Sequence, residues 1–201
     1  LLVGLFAIVL LLFSACSDSD NISKVSAQDY VGTKVNGQAP DFILQDQSGR
    51  QVSLSSFAGK VVVLAFLDPR CTDVCPLTAF HFRTASEALG DKTNGVAWLA
   101  VNVNPEATLD EIREATEKWD MVTVPNWHFL TGARDDLQKV WNDYDVAGGL
   151  EKPGKPGEAQ HTPGVFIIDP IGEKRWYVST AFEGAPPLGE LLLKHIHDLF
   201  P

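Results

Sequence analysis

Methionine, cysteine and positive charge are all scarce in this chain of 201 residues. It has one methionine and three cysteines, and 16 basic side chains stand against 26 acidic ones, a formal charge of −10. The shortage of Lys and Arg argues against nucleic acid or an anionic membrane face as partner, because both are gripped by clustered cations that displace counterions. Long apolar runs are scarce too. Leu1 to Phe13 is apolar everywhere except Gly4, and its 13 residues are the one stretch of that kind. As a helix it would reach only about 20 Å, short of the roughly 30 Å hydrocarbon core, so it makes a poor membrane span. At 45% apolar and 21% charged residues the composition is globular, and a single domain without internal repeats is expected.

The apolar start reads as the core of a signal peptide over residues 1–15. A basic leading region and an initiator Met are missing, so further residues are expected ahead of Leu1. Phe13-Ser14-Ala15-Cys16 resembles a bacterial lipobox, in which small residues precede a cysteine that is acylated and becomes the mature N-terminus; it departs at Phe13, where Leu is usual. A plain signal peptide with a chance cysteine is the alternative. Residues 16–38 are polar and aperiodic and are expected to be the lipidated Cys16 with a flexible tether. Residues 39–201 would form the folded domain, extracytoplasmic and held to a bacterial lipid bilayer through Cys16.

Asp41 to Leu54 reads as a hairpin turning at Gly49. Val61 to Leu67 is an unbroken apolar run, short and rich in β-branched residues, as expected of a strand buried on both faces. Val96 to Val103 and Gly164 to Asp169 are further strands, with a short one near Trp127 to Leu130. Helical patterns fall at Leu77–Leu89, Thr108–Trp119, Arg134–Tyr144 and about Pro187–Leu199. Such alternation means α/β layering around a mostly parallel sheet. Ala147 to Gln160, with four Gly and two Pro, reads as a long exposed loop.

Chemistry is expected where the first buried strand ends, at Cys71-Thr72-Asp73-Val74-Cys75-Pro76. Proline suits the first helical position, which predicts a helix beginning at Pro76 with Cys75 as its cap. A thiol at a helix N-terminus is biased toward thiolate, and open α/β sheets place their sites at strand carboxyl ends. The two cysteines are spaced to form a disulfide or to share one soft metal ion. An inert structural bridge is less apt, because closing so short a loop gains little. Of the five histidines, His195 and His197 face different ways on one helix, and His81 and His128 read as packing or surface residues. His161 ends the Gly/Pro-rich loop directly before the third strand, but its 86-residue separation from Cys75 is a weak signal by itself.

Phe66 to Pro76, with Asn104-Pro105-Glu106, Phe129-Leu130-Thr131-Gly132 and His161 to Gly172, resembles the Sco/SenC family of copper chaperones, in order and across nearly the whole domain. The resemblance implies a single thioredoxin-like domain, a central mixed sheet flanked by helices with an N-terminal hairpin, in which the strand after His161 runs antiparallel to the strand before the cysteines. It also implies that Cys71, Cys75 and His161 bind copper, and that the protein helps mature the binuclear copper centre of cytochrome c oxidase, or serves another copper protein. Two thiolates and an imidazole suit Cu(I), with Cu(II) a second candidate. Cys71 and Cys75 are also the expected redox pair.

Several positions depart from the family pattern. Thr72 replaces a common proline, Asn104 stands where aspartate is usual, and Asp68-Pro69 is unlike the residues found before the motif. Pro163 sits where thioredoxins carry a cis-proline facing their cysteines. That keeps open an alternative, a thiol-disulfide reductase in which Cys71 and Cys75 are catalytic and Thr162-Pro163 is cis. A peroxide-reducing redoxin lacks support, because the Pro-x-x-x-Thr-x-x-Cys arrangement is absent.

Overall fold

The computed structural model describes residues 30–151, 153–179 and 185–200. The expected signal segment, Cys16 and the first part of the expected tether lie outside the described residues. Within them a six-stranded sheet is the centre of an α/β fold. The strands in chain order are β1 (Thr33–Lys34), β2 (Ile43–Gln45), β3 (Gln51–Ser53), β4 (Val61–Leu67), β5 (Val96–Asn102), β6 (Trp127–Leu130), β7 (Leu150–Glu151), β8 (Ala159–Gln160), β9 (Val165–Ile168) and β10 (Lys174–Val178). The helices are α1 (Val74–Leu89), α2 (Leu109–Lys118), α3 (Arg134–Asp143) and α4 (Leu188–Leu199). The main sheet has the order β1-β10-β9-β4-β5-β6, while β2-β3 and β7-β8 are separate two-stranded hairpins.

The lack of polar alternation in β4 has a direct cause: both faces are covered. Val61, Val63, Ala65 and Leu67 pack with Ala79, Phe82 and Ala85 of α1 and with Leu191, Leu192 and Ile196 of α4. Val62, Leu64 and Phe66 pack on the other face with Leu137, Val140 and Trp141 of α3 and with Phe42, Leu44 and Phe57 around the first hairpin. Each such aliphatic side chain contributes about 1.5–3 kcal/mol when fully buried. β4 runs parallel to β5 and antiparallel to β9, with Ala65 opposite Val165 and Leu64 opposite Phe166. The beginning of β9 therefore lies beside the end of β4, where the cysteines follow.

Three local expectations are corrected. Residues 33–38 of the expected tether belong to the domain: Thr33 and Lys34 pair with Tyr177 and Trp176, and Val35 N–H donates to Arg175 C=O at 3.1 Å. The stretch Ala147 to Gln160 is not simply an exposed loop, since it forms β7 and β8 and buries Glu158 and Ala159. Helix α1 starts at Val74, capped by Asp73, and not at Pro76 with Cys75 as cap. Among the described residues no helix is long and apolar enough to cross a membrane.

Candidate metal centre

Beyond β4 the chain turns on a buried carboxylate. Asp68 has no exposed surface; its Oδ1 accepts hydrogen bonds from Arg70 N–H at 3.0 Å and from the Asn104 side-chain amide at 3.1 Å, and its Oδ2 accepts from Ala159 N–H. The Asp68 carbonyl accepts from Cys71 N–H at 3.1 Å, which closes the turn and aims the first thiol inward. Asp73 then takes the cap, its Oδ1 accepting from Val74 N–H at 2.7 Å and from the Cys71 thiol at 3.0 Å. Cys75 consequently lies inside the first turn of α1. Proline at position 76 still costs no hydrogen bond, because N–H groups throughout the first turn lack intrahelical acceptors.

Both site cysteines are free thiols, Cys71 at 5% and Cys75 at 0% exposure. Their acidities are driven apart. A hydrogen bond from Cys75 holds the Cys71 thiol below its ordinary range, whereas that same bond, followed by burial, pushes Cys75 up. Of the two, Cys71 is thus the more acidic thiol and Cys75 holds its proton more tightly. Nucleophilicity and soft-metal affinity both follow the thiolate, so Cys71 is the reactive member.

His161 follows β8, and its Nε2 lies 3.6 Å from Cys75 Sγ. Its Nδ1 is 3.2 Å from the Thr162 carbonyl oxygen. The three residues that the resemblance implied as ligands thus form one group, Cys71 hydrogen-bonded to Cys75 and Cys75 facing His161. The cis Thr162–Pro163 bond of the reductase alternative is not found: that peptide is trans. The segment is braced instead by the Tyr177 hydroxyl, which donates to the Pro163 carbonyl at 2.7 Å. The other histidines stay apart from the thiols. His128 faces Asp46 at 3.2 Å, His195 is fully buried with its Nε2 2.6 Å from the Val31 carbonyl oxygen and its ring stacked on Trp176, and His81 lies on α1.

Two carboxylates at the thiols escaped the sequence reading. One oxygen each of Asp73 and Glu158 and the sulfur of Cys71 lie within 4.8 Å of one another. Glu158 Oε1 accepts from the Thr72 hydroxyl at 3.1 Å, and Lys155 Nζ stands 2.7 Å from Asp73 Oδ2 and 3.7 Å from Glu158 Oε2. The only available signal was an acid three residues before His161, which the Gly/Pro composition masked. On the other side Arg70 forms a two-pronged bond to Glu111, at 2.8 and 3.1 Å, and donates to the Glu106 carbonyl at 2.7 Å. Held by Arg70, the Glu111 carboxyl is depressed to about 2.

The family model for SCO1/SenC matches residues 32–186. The chain belongs to the SCO1/SenC family. The SCO1 protein homolog of Bacillus subtilis is 23% identical over 139 residues, 69% of this chain and 72% of that protein. Peroxiredoxin Q of Oryza sativa subsp. japonica is 27% identical over 155 residues; these cover 77% of this chain but only 63% of that relative's length. A solved structure of Bradyrhizobium japonicum ScoI with copper bound superposes with a TM-score of 0.66 and 23% identity, covering 82% of this chain and all of that one. The thioredoxin-like fold expected of a SCO1/SenC protein is therefore the fold observed.

Asp68 and Asn104, two positions singled out in the sequence, are direct partners. Asn104 donates one N–H to Asp68 Oδ1 and the other to the Gly157 carbonyl at 2.9 Å, and its own oxygen accepts from Glu106 N–H at 3.1 Å. With a carboxylate already buried at 68, a second one at 104 would face it across a hydrogen-bond distance. The carboxamide supplies donors where aspartate would supply charge.

Proposed function

We propose that this SCO1/SenC protein carries Cu(I) as cargo on Cys71, Cys75 and His161 and delivers it to the copper-site subunit of cytochrome c oxidase. One observation carries the reading: the 3.6 Å separation of His161 Nε2 and Cys75 Sγ. For a closed-shell d10 ion, bond lengths of about 2.3 Å to sulfur and 2.0–2.1 Å to nitrogen put the two donors about 3.5–3.8 Å apart. Soft thiolates match Cu(I), and ligation by three groups leaves room for an incoming thiolate, so the ion passes by ligand exchange. Cys71 offers its thiolate first, and Cys75 must release its proton as the second sulfur binds. Affinity should therefore rise with pH. The relative solved with copper supports the choice of ion, and the family resemblance supports the recipient.

In this reading residues 1–15 direct export and Cys16 is acylated, which places the domain outside a bacterial membrane within reach of a membrane-bound oxidase. Stable attachment requires more than one acyl chain. Mass spectrometry of the mature chain should find it beginning at an acylated Cys16, and Cys16→Ser should remain unprocessed. Cleavage elsewhere with Cys16 unmodified contradicts the anchor.

Copper loading is tested by titrating the reduced chain against a Cu(I) chelator. One equivalent should bind, and Cys71→Ser, Cys75→Ser and His161→Ala should each weaken it. A double Cys→Ser variant that keeps stoichiometric Cu(I) defeats the proposal. The divided acidities of Cys71 and Cys75 favour a second reading, thiol-disulfide exchange, in which Cys71 attacks and Cys75 resolves. If His161→Ala keeps full copper affinity while Pro163→Ala loses disulfide reduction, the reductase replaces the chaperone.

A further inference from the structure

A buried histidine far from the thiols holds the start of the domain to its sheet. Residues 30–35 run along the outer edge of β10 as a strap. Thr33 and Lys34 pair with Tyr177 and Trp176, Val35 N–H donates to Arg175 C=O at 3.1 Å, and Ser179 N–H donates to the Tyr30 hydroxyl at 2.9 Å. Val31, Thr33 and Lys34 are exposed, so the strap gains little from apolar burial. It is tied to α4 by the His195 ring, which is fully buried and stacked on Trp176 with centroids 4.2 Å apart. The Nε2 of that ring lies 2.6 Å from the Val31 carbonyl oxygen.

A carbonyl only accepts, so Nε2 carries the hydrogen and the neutral ring keeps its lone pair on Nδ1. Nδ1 is also buried, and it has no hydrogen-bond partner among the described residues. The charges around the ring do not supply an acceptor for a second proton. On α4, Lys194 and Asp198 pair with each other at 3.2 Å, while Glu190 and His197 are exposed. Lys34 of the strap lies over the Trp176 ring, and on β10 Lys174 lies over Tyr144 while Arg175 holds Asp169. On α1, which packs against α4, Arg83 pairs with Glu87 and His81 sits beside Gly189. β9 carries no titratable side chain. Trp176 offers a cation its ring face but no acceptor for the added N–H. Burial holds the His195 imidazole below its ordinary range, with the Val31 bond acting the other way.

We infer that His195 is a pH-sensitive latch: neutral, it clasps the strap at Val31; protonated, it leaves the Trp176 stack and lets residues 30–35 go. Closure is at full strength above about pH 6.5, the ordinary histidine value, and weakens as pH falls below it. The sign follows from proton uptake, since the ring takes a proton in the open strap and not in the closed one. The next hold along the chain, Lys174 N–H to Gly37 C=O at 2.9 Å, does not involve His195. Release therefore frees residues 30–35, about 20 Å of chain when extended. Under the anchor reading this lengthens the tether between Cys16 and the domain, and so sets how far the copper site reaches from the membrane.

Hydrogen exchange of the full chain at pH 7.5 and 5, read by peptide mass spectrometry and corrected for the pH dependence of chemical exchange, tests the latch. Protection over residues 30–35 should be about thirty-fold lower at pH 5, ten-fold for each unit below the histidine value, while β4 and β5 keep theirs. His195→Gln retains an amide donor for Val31 but takes no proton, so its strap should be equally protected at both pH values. His195→Phe should leave the strap unprotected at both. Histidine NMR of the wild type needs no variant: the His195 ring should be the Nε2–H tautomer at pH 7.5 and should titrate in step with strap release. Strap protection that ignores pH in the wild type, or a pH dependence that survives in His195→Gln, overturns the latch. So does loss of protection in β4 in step with the strap, which is acid unfolding of the whole domain. Failure of the anchor reading looks different: Cys16 is then unmodified and the exchange pattern is unchanged.

Discussion

Replacing Asn104 by Asp exchanges one NH2 group for an oxygen and should destabilise the domain by about 5 kcal/mol at pH 7, and by about half that at pH 5. In the native structure the Asn104 amide donates to Asp68 Oδ1 at 3.1 Å, with both residues buried. Two carboxylates at that spacing would repel by about 5 kcal/mol at an effective dielectric constant near 20. Keeping one of them protonated is the cheaper route. At pH 7, about three units above an ordinary aspartate, that costs about 4 kcal/mol, and at pH 5 about 1.5 kcal/mol. The sign follows from proton uptake: the folded variant holds a proton that its unfolded chain has released above about pH 4, so the penalty grows with rising pH. The donor to Gly157 C=O is lost as well, adding about 1 kcal/mol at either pH. Urea denaturation of wild type and variant at pH 5 and 7 measures the two differences. Equal penalties at both values, or less than about 1 kcal/mol at pH 7, would refute the pairing of Asp68 with Asn104. The double variant Asp68→Asn/Asn104→Asp restores one carboxylate facing one carboxamide and should recover part of the loss; recovery stays partial because Asp68 also serves Arg70 and Ala159.

Glu111→Gln should cost about 1 kcal/mol at pH 7, the small figure reflecting a pair about one-third exposed on each side. Because Arg70 depresses the Glu111 carboxyl from 4.5 to about 2, this stability is present above pH 4.5 and is lost as pH falls toward 2; an acid titration in which variant and wild type keep a constant gap would contradict it. A small alkylating reagent should modify Cys71 before Cys75, as read by peptide mass spectrometry, and equal rates would contradict the divided acidities. Gly164→Ala would drive a methyl into the Tyr177 ring and hydroxyl, which brace Pro163, and should lower stability by about 1–3 kcal/mol; an unchanged melting temperature would show the brace to be slack.

The buried strands were legible because β4, β5 and β9 are covered on both faces and so read as continuous apolar runs. The helices fell within a few residues of their expected spans, since amphipathic periodicity and the Thr108–Glu111 capping box are local signals. β10 was hidden because Lys174 and Arg175 interrupt its apolar side and a bulge breaks its register with β9. β1 has two residues and no pattern of its own; it is a strand only because Tyr177 and Trp176 lie opposite. In the site, the spacing of Cys71 and Cys75 pointed to paired thiols. His161 needed the family resemblance, because what joins it to Cys75 is the antiparallel register of β4 and β9 across 86 residues. The burial of Asp68 and Glu158 was illegible for the same reason: Asn104, Ala159 and Thr72 make it tolerable, and none of these contacts is local in sequence for both acids. The misplaced helix start shows a proline rule satisfied at more than one first-turn position, with the Asp73 carboxylate deciding which.

X-ray absorption at the copper edge of the reduced chain loaded with one equivalent of Cu(I) examines the proposed cargo site most directly. The account predicts a three-coordinate ion with two sulfur neighbours and one nitrogen, and loss of the nitrogen shell in His161→Ala. A spectrum without two sulfurs, or one that His161→Ala leaves unchanged, would contradict the assignment of Cys71, Cys75 and His161 as the copper ligands.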